Sequence, residues 1–247
     1  PELIDENTKR IHTSFNQTGT ETGRLSSSNP NLQNLPVKTE LGRRIRESII
    51  AFSAENVLLS CDYSQIELRI LAHISKDKVL IKAFEENKDI HRQTAAEVYE
   101  VDPDKVTDKM RSEAKALNFG IIYGMSVHGF SEATGVSREE ARGFIEKYLV
   151  KFSGIDRFRS ELIEEAKAKG YARTIFGRRR LLPELKSSNF QVRAAAERMA
   201  INMPIQGTAA DIIKLAMIAV DTTYGADQVI DLFLQVHDEV VFEAATD

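Results

Sequence analysis

Two aspartates stand where short apolar strands are predicted to end. Asp62 follows the run Val57–Cys61, and Asp238 lies in the turn between the runs Leu232–Val236 and Val240–Glu243. If these strand ends are neighbours in one sheet, the two carboxylates repel each other, and hard divalent cations are the natural groups to bind between them. Two Mg²⁺ ions about 3.5–4 Å apart can activate an attacking hydroxyl and stabilise a leaving phosphate. Taken singly, each aspartate is explained more simply as a turn-forming residue.

A second group of candidate residues recurs at every fourth position of one predicted helix: Arg111, Lys115, Phe119 and Tyr123. Residues four apart lie on one broad face of an α-helix. Two cations followed by two aromatic rings could grip a triphosphate at one end and stack on a base at the other. An amphipathic helix with a solvated basic end and a buried aromatic end fits the same pattern.

The elements that must position these residues are strands near both ends of the chain and helices between them. Residues 14–36 are rich in Ser, Thr, Asn and Gly, which indicates an irregular or short-stranded segment full of turns. Strands are predicted at 49–52, 57–61, 232–236 and 240–243. Ser64 and Glu67 fit a capping box that opens a helix after Asp62. Apolar periodicity then predicts helices at 79–86, 90–99, 109–123, 137–151, 155–169, 189–203 and 209–223. This order predicts an α+β fold, a sheet from both chain ends with a helical insertion.

Composition sets broad limits on the class of protein. The 247 residues are 42% hydrophobic and 28% charged, which is ordinary for a globular protein. No apolar run is long enough to cross a bilayer, and the single cysteine is compatible with a reducing cytosol. The net charge of -4 does not favour a nucleic-acid binder, but eight Lys or Arg against one acid, Glu184, fall within residues 167–193. A smaller cluster is Lys38, Arg43, Arg44 and Arg46; either patch could be ordinary solvated surface.

Five segments in order resemble the motifs of the family A DNA polymerases, of the bacterial DNA polymerase I type. DYSQIELR at 62–69, RSEAKALNFGIIYG at 111–124 and QVHDE at 235–239 resemble motifs A, B and C of that family. TGRLSS at 22–27 and PIQGTAAD at 204–211 resemble two further segments. The likeness covers essentially the whole chain, and five ordered motifs are far more specific than any one of them.

The resemblance implies roles for individual residues. Asp62 and Asp238 would be catalytic and would bind two Mg²⁺ ions, with the backbone carbonyl of Tyr63 as a further ligand. Glu239 would also be catalytic and would lie near the metals. Lys115 would act in catalysis and would also bind the incoming nucleotide. The other nucleotide-binding residues would be Gln65, Glu67, His91, Arg111, Phe119 and Tyr123. Within that group, Glu67 would exclude a ribose 2′-hydroxyl. A third group would contact primer or template: Arg24, Arg198, Asn202, Gln206 and His237.

The implied activity is template-directed transfer of a nucleotide from a dNTP to a primer 3′-hydroxyl. Residues 1–75 and 196–247 would form the palm, and residues 76–195 the fingers, whose motif B helix would close over a correctly paired nucleotide. Primer–template DNA and dNTPs would be the partners. The resemblance also implies a monomeric, cytoplasmic enzyme that does not associate with membranes. Relatives carry a thumb before this segment and more palm after it, so we expect a fragment that is weakly active or inactive alone.

Three other interpretations remain open at this point. The chain could be a non-catalytic module that binds nucleotide or DNA without turnover. It could be a Mg²⁺-dependent nuclease or phosphatase, although a hydrolase has no need of stacking rings beside a triphosphate grip. It could also be a single-subunit RNA polymerase, against which Glu67 at the sugar gate argues.

Overall fold

The structure is a computed structural model that describes residues 2–36, 39–225 and 230–246. The chain divides into two compact units. The first contains residues 1–64 and 209–247, and the second contains residues 65–208. Because the first unit takes its residues from both ends of the chain, the expected α+β arrangement with a helical insertion is confirmed. The assignment of palm and fingers to residues 1–75, 76–195 and 196–247 stays a prediction.

The first unit is built on a three-stranded antiparallel sheet with the order β3–β7–β6. Its strands are β3 (Asn56–Asp62), β6 (Ile230–Val236) and β7 (Glu239–Ala245). Alternate residues of β7, Val240 and Phe242, are buried and pack with Ile213 in an apolar cluster. The period of two along the strand places these side chains on one face of the sheet. Helix α10 (Thr208–Tyr224) supplies Ile213 and so covers that face.

The remaining elements of this unit are short. A two-stranded ladder joins β1 (Ser14–Asn16) to β2 (Ser26–Ser28), and helix α1 spans Glu40–Glu47 with Thr39 as its N-cap. The ladder agrees with the short-stranded alternative expected for residues 14–36, although three-residue strands are too short for their periodicity to give bounds. Helix α1 was not predicted. Lys38, of the smaller basic cluster, lies outside the described residues.

The predicted strand at 49–52 is wrong. The Arg10 guanidinium donates to the carbonyls of Ile50 (2.9 Å) and Ala51 (2.5 Å), and the Glu243 carboxylate accepts from the amide of Phe52 (2.7 Å). These side chains from distant parts of the sequence satisfy the backbone groups that a strand partner would otherwise bind. The segment is therefore irregular despite its apolar composition.

The second unit is mainly helical. Its helices are α2 (Ile66–Ser75), α3 (Lys78–Glu85), α4 (Ile90–Tyr99), α5 (Asp108–Ile122), α6 (Val127–Thr134), α7 (Arg138–Lys151), α8 (Ser153–Lys169) and α9 (Phe190–Asn202). A hairpin of β4 (Tyr171–Arg173) and β5 (Arg179–Leu181) follows α8. The predicted helices agree with these bounds to within about two residues, which is the ordinary uncertainty of helix ends. Helix α6 and the hairpin were not predicted.

Side chains at the helix starts fix where most of these helices begin. Asp77, Asp89, Thr107, Ser126, Ser137 and Asn189 each accept a hydrogen bond from a backbone amide of the first turn. Helix α2 differs, because Gln65 rather than the predicted Ser64 is its N-cap, in the left-handed region (φ 58°) and without a side-chain cap bond. Uncapped helix starts in this conformation are uncommon for a residue with a side chain.

Helices α9 and α10 were predicted to be separated by residues 204–207, but a turn of π-helix, Met203–Gly207, joins them. Proline lacks the amide that would continue α-helical bonding, and a wider turn accommodates it. By length and composition the stretch Phe190–Tyr224 could span a membrane, but half of its most apolar window is buried within the protein, as in the core helix of a globular domain.

Candidate active site

The end of the sheet in the first unit brings Asp62 and Asp238 together. Asp62 is the last residue of β3 and lies opposite Glu239, the first residue of β7. The amide of Tyr63 donates to the carbonyl of Asp238 at 3.1 Å, so the backbone pairing continues one residue past the strand. His237 takes a positive φ of 54° in the β6–β7 turn. The strand pairing thus confirms that the two aspartates share one end of the sheet.

The charges around Asp238 are unevenly balanced. Burial raises the pKa of the Asp238 carboxyl above its ordinary value, and the nearby Asp62 carboxylate raises it further. The charges of Arg24 and His237 act in the opposite direction but do not cancel the rise. Arg24 places its guanidinium 3.8 Å from an oxygen of Asp238. Two neighbouring carboxylates repel each other, so binding of a cation at this end of the sheet is favoured.

The donor set at this end suits a hard divalent cation but does not enclose one by itself. Asp62 is exposed and Asp238 half-buried, so each has carboxylate oxygens that a ligand can reach. No three His, Cys, Asp or Glu side chains converge on one point anywhere in residues 2–36, 39–225 and 230–246. Mg²⁺ ordinarily binds one or two protein carboxylates and takes its other oxygen ligands from water and substrate phosphates. The pair Asp62 and Asp238 fits that pattern, and the Tyr63 carbonyl stays a predicted further ligand.

The Glu239 carboxylate forms a hydrogen bond within the sheet. Its carboxylate accepts a hydrogen bond of 2.5 Å from the Ser60 hydroxyl, one strand across the sheet. This bond ties the Glu239 side chain to β3, two residues before Asp62. Its expected place near the metals stays a prediction.

Two glutamines that the sequence did not single out hold the β6–β7 turn. The side-chain amide of Gln235 donates to the carbonyl of His237 at 2.5 Å, and Gln33 donates to the side-chain oxygen of Gln235 at 2.9 Å. Gln235 is buried, which limits the rotamers open to it. Gln235 lies in the QVHDE segment, but nothing in the polar segment 14–36 distinguishes Gln33. The two amides thereby fix the backbone on which Asp238 stands.

In the second unit, helix α5 carries the predicted cation pair. The Arg111 Nε donates to the Asp89 carboxylate at 2.7 Å, and Asp89 is also the N-cap of α4. This ion pair and the capping amides lower the pKa of Asp89 despite its partial burial. Lys115, one turn further along α5, is exposed. Arg111 therefore lies at the start of α4, where the backbone amides of His91 and Arg92 also donate to Asp89. The charge of Lys115 acts on His91 of the same turn.

Three aromatic rings follow on the same side of α5. Phe119 and Tyr123 are stacked with centroids 6.4 Å apart and planes 14° apart. His91, from α4, lies 5.9 Å from Phe119 at a tilt of 43°. Phe119 and Tyr123 are half-buried, so each ring keeps an accessible part. The predicted sequence of two cations and then two aromatic rings along one face is confirmed as an arrangement.

His91 is held neutral by its surroundings. Burial, with smaller contributions from the charges of Arg111 and Lys115, lowers its pKa to about 4 against the opposing charge of Asp89. The side-chain amide of Asn118 donates to His91 Nδ1 at 3.1 Å, so the ring hydrogen resides on Nε2. Asn118 is itself fully buried and donates to the Thr94 hydroxyl at 3.0 Å. The sequence indicated His91 but not these two residues that orient it.

Glu67 is hydrogen-bonded to one of the two aromatic residues at the end of α5. The Tyr123 hydroxyl donates to the Glu67 carboxylate at 2.9 Å, although the residues lie on different helices. Glu67 is only 3% exposed, so this bond and its burial limit the movement of its side chain. Gln65, by contrast, is half-buried at the start of α2.

The expected DNA-contacting residues of this unit lie along α9 and the π-helical turn. Arg198 is exposed, and its side chain packs on Gly124: a Cβ added at Gly124 would lie 2.7 Å from Arg198 Cγ. Gly124 also has a φ of 63°, which favours glycine. The Asn202 side-chain oxygen is buried without a hydrogen-bond partner among the described residues, and Gln206 is half-buried. Their expected contacts with DNA, and that of Arg24, stay predictions.

Comparison with known proteins is consistent with this geometry. The sequence profile described as DNA polymerase family A matches residues 1–247. DNA polymerase I of Bacillus caldotenax is 49% identical over 243 residues, which cover 98% of this chain and 28% of that protein. DNA polymerase I of Bacillus subtilis (strain 168) is 52% identical over 236 residues, 95% of this chain and 27% of that protein.

A solved structure gives the same result. The POL domain of Pol1 from M. smegmatis, in complex with DNA primer-template and dNTP, superposes with a TM-score of 0.93 at 46% identity. The superposition covers 99% of this chain and 43% of that one. The chain therefore belongs to DNA polymerase family A, and it spans less than a third of the length of the curated relatives.

Proposed function

We propose that this chain carries the nucleotidyl-transfer centre of a template-directed DNA polymerase. The observation that carries the proposal is the pair Asp62 and Asp238, joined at one end of the β3–β7–β6 sheet, in a chain of family A. The binding partners would be primer–template DNA and dNTPs, the molecules bound to the M. smegmatis POL domain. A cytoplasmic location and a monomeric state are further parts of this proposal.

Asp62, Asp238 and the Tyr63 carbonyl would hold two Mg²⁺ ions. When bound, these ions make the primer 3′-hydroxyl more acidic and neutralise charge on the phosphates. The support for this assignment is that the mutual repulsion of Asp62 and Asp238 contributes to the raised pKa of Asp238. A cation between them relieves that repulsion.

Helix α5 and the start of α4 would bind the nucleotide. Lys115 and Arg111 offer positive charge to the triphosphate and, in the transition state, to the departing pyrophosphate, as the 3′-oxygen forms its bond to the α-phosphorus. Neutral His91 would donate from Nε2 to a phosphate oxygen. Phe119 would lie against the sugar and base, and Tyr123 at the base of the nascent pair.

Glu67 would restrict the sugar to deoxyribose. Its carboxylate is buried and held by the Tyr123 hydroxyl, so it makes a stiff wall that cannot easily make room for a 2′-hydroxyl. An RNA polymerase has no use for such a wall. This contact therefore favours DNA synthesis over RNA synthesis.

Templated primer extension by the purified chain tests the proposal. With Mg²⁺ present, we expect a primer to gain, at the low rate of a fragment, the nucleotide complementary to the template base, and a changed template base to change the nucleotide added. Omission of Mg²⁺ should stop the reaction. Nucleotide addition that ignores the template base, or hydrolysis of dNTP without addition, would contradict the proposal.

A further inference from the structure

The β4–β5 hairpin contains a cross-strand pair of a kind that ordinarily destabilises a sheet. Arg173 and Arg179 are directly opposite each other in this antiparallel pair. Like charges in directly opposed cross-strand positions destabilise a sheet, whereas an acid opposite an arginine stabilises it. Both side chains are exposed, and neither forms an ion pair within the described residues. Two opposed cations without an acid between them are the arrangement expected where an anion binds.

The tip of the same hairpin exposes apolar side chains. Ile175 is 56% exposed and Phe176 is 53% exposed, although a short turn offers them no core to support. The turn itself is well ordered by hydrogen bonds: the Thr174 amide donates to the Arg178 carbonyl (2.9 Å), and the Ile175 amide donates to the Thr208 hydroxyl (3.2 Å). A fixed backbone that presents an exposed ring and opposed arginines is suited to binding.

A groove runs along the hairpin and continues this surface. It is lined by residues of β4 and its turn, among them Tyr171, Arg173 and Ile175, and by Phe158 and Leu162 of α8. The one acid on its wall, Glu165, is paired with Lys169 at 2.5 Å. Arg179 lies over the Tyr171 ring, 4.8 Å from its centroid. The groove therefore combines uncompensated positive charge with accessible rings and aliphatic side chains.

We propose that this hairpin and groove bind unpaired, single-stranded DNA outside the nucleotide-transfer centre. Arginines that meet phosphates, interleaved with rings on which bases stack, are the means by which proteins hold single strands without reading sequence. Duplex DNA offers the phosphates but no unstacked bases for Phe176. An acidic peptide offers charge but no flat partner for the ring. The proposal rests on the proposed function for its choice of DNA as the nucleic acid.

Arg173→Glu provides a test in which binding and stability change in opposite directions. The substitution places an acid opposite Arg179, so the thermal midpoint of unfolding should stay the same or rise. Binding of a fluorescent oligo-dT to the whole chain should nevertheless weaken about tenfold at low salt, with a shallower dependence on salt, by about 0.7 in the log–log slope per lost phosphate contact. Phe176→Ala should weaken binding about 5- to 100-fold by loss of stacking.

The matched control is Arg142→Glu, the same charge change at an exposed position of α7. It should weaken oligo-dT binding less than twofold. The proposal is overturned if Arg173→Glu and Arg142→Glu weaken binding equally, if neither hairpin variant weakens it, or if blunt duplex binding falls as much as oligo-dT binding. Because oligo-dT binding needs neither dNTP nor Mg²⁺, these results are independent of whether the chain extends a primer.

Discussion

The buried His91–Asn118 pair leads to a quantitative prediction of pH dependence. The folded pKa of His91 is about 4 against an ordinary value of 6.5, so the folded state binds fewer protons than the unfolded state between these pH values. The free energy of unfolding therefore falls as the pH falls through that window. A difference of about 2.5 pKa units corresponds to at most about 3 kcal/mol, of which about 2 kcal/mol is lost between pH 8 and pH 5.

Comparison of the parent with the His91→Gln variant isolates the contribution of His91 to the pH dependence of stability. Urea unfolding at pH 8 and pH 5 measures the loss of stability in each protein, and the parent should lose about 2 kcal/mol more than the variant. Other titrating groups contribute to both proteins and cancel in the difference. A loss of equal size in the two proteins would refute the reasoning.

Asn118→Asp tests the cause of the shift. A carboxylate in place of the amide would accept from a protonated His91 Nδ1, and an opposite charge at this distance raises a pKa by about 1–3 units. The NMR titration of the His91 ring should move upward accordingly. Asn118→Leu removes the hydrogen bond without adding charge and should leave the pKa low, because burial is the main cause. A parent His91 that titrates at its ordinary pKa would refute the account of this site.

Three further predictions concern other residues. Glu67→Ala should increase ribonucleotide incorporation relative to deoxynucleotide incorporation, because it removes the buried wall that the Tyr123 hydroxyl holds in place. By the family resemblance, Phe119→Tyr should relax discrimination against dideoxynucleotides, as measured by terminator incorporation. Asp77→Ala should lower the free energy of unfolding by about 2–4 kcal/mol in urea, because the buried carboxylate caps α3 and also accepts from the Gly154 amide at 2.9 Å.

Each of these predictions has a control or a contradicting result. Tyr123→Phe keeps the ring but removes its hydrogen bond to Glu67, so it should admit ribonucleotides to a smaller extent than Glu67→Ala; an unchanged ratio in both would contradict the gate. Equal use of terminators by Phe119 and its tyrosine variant would exclude the role assigned to that ring. For Asp77, the exposed single-helix cap Ser126→Ala should cost only about 1 kcal/mol; equal losses would show that the bond to Gly154 contributes nothing.

The sequence predicted the long elements well, because they have clear periodicity and recognisable caps. Helix α4 begins after Asp89 and ends at Tyr99, as expected. The failures lie where tertiary contacts decide local structure. Residues 49–52 look like a strand, yet the side chains of Arg10 and Glu243 take up their backbone groups from far away in the sequence. No local pattern reveals such partners.

In the candidate site, too, the sequence indicated residues that stand in clear local patterns and missed residues that tertiary contacts place. The strand ends and the spacing of α5 indicated Asp62, Asp238 and the cation–aromatic face as candidates, and the ordered motifs of the family resemblance were needed to choose the catalytic interpretation over simple structural roles. The residues that orient them were missed, since Asn118 and Gln33 act through single hydrogen bonds that depend on the packing of separate elements. A buried amide in a motif is a weak signal for such a role, and a glutamine in a polar loop is none.

The most direct test of the central claim is single-turnover nucleotide incorporation by Asp238→Ala beside the parent, with DNA binding measured on the same samples. The account predicts a fall in the rate of about 1,000-fold or more, as expected when about 4 kcal/mol of transition-state stabilisation is removed. DNA binding should stay within a few fold of the parent. Incorporation at an undiminished rate would contradict the assignment of Asp238 to the chemistry.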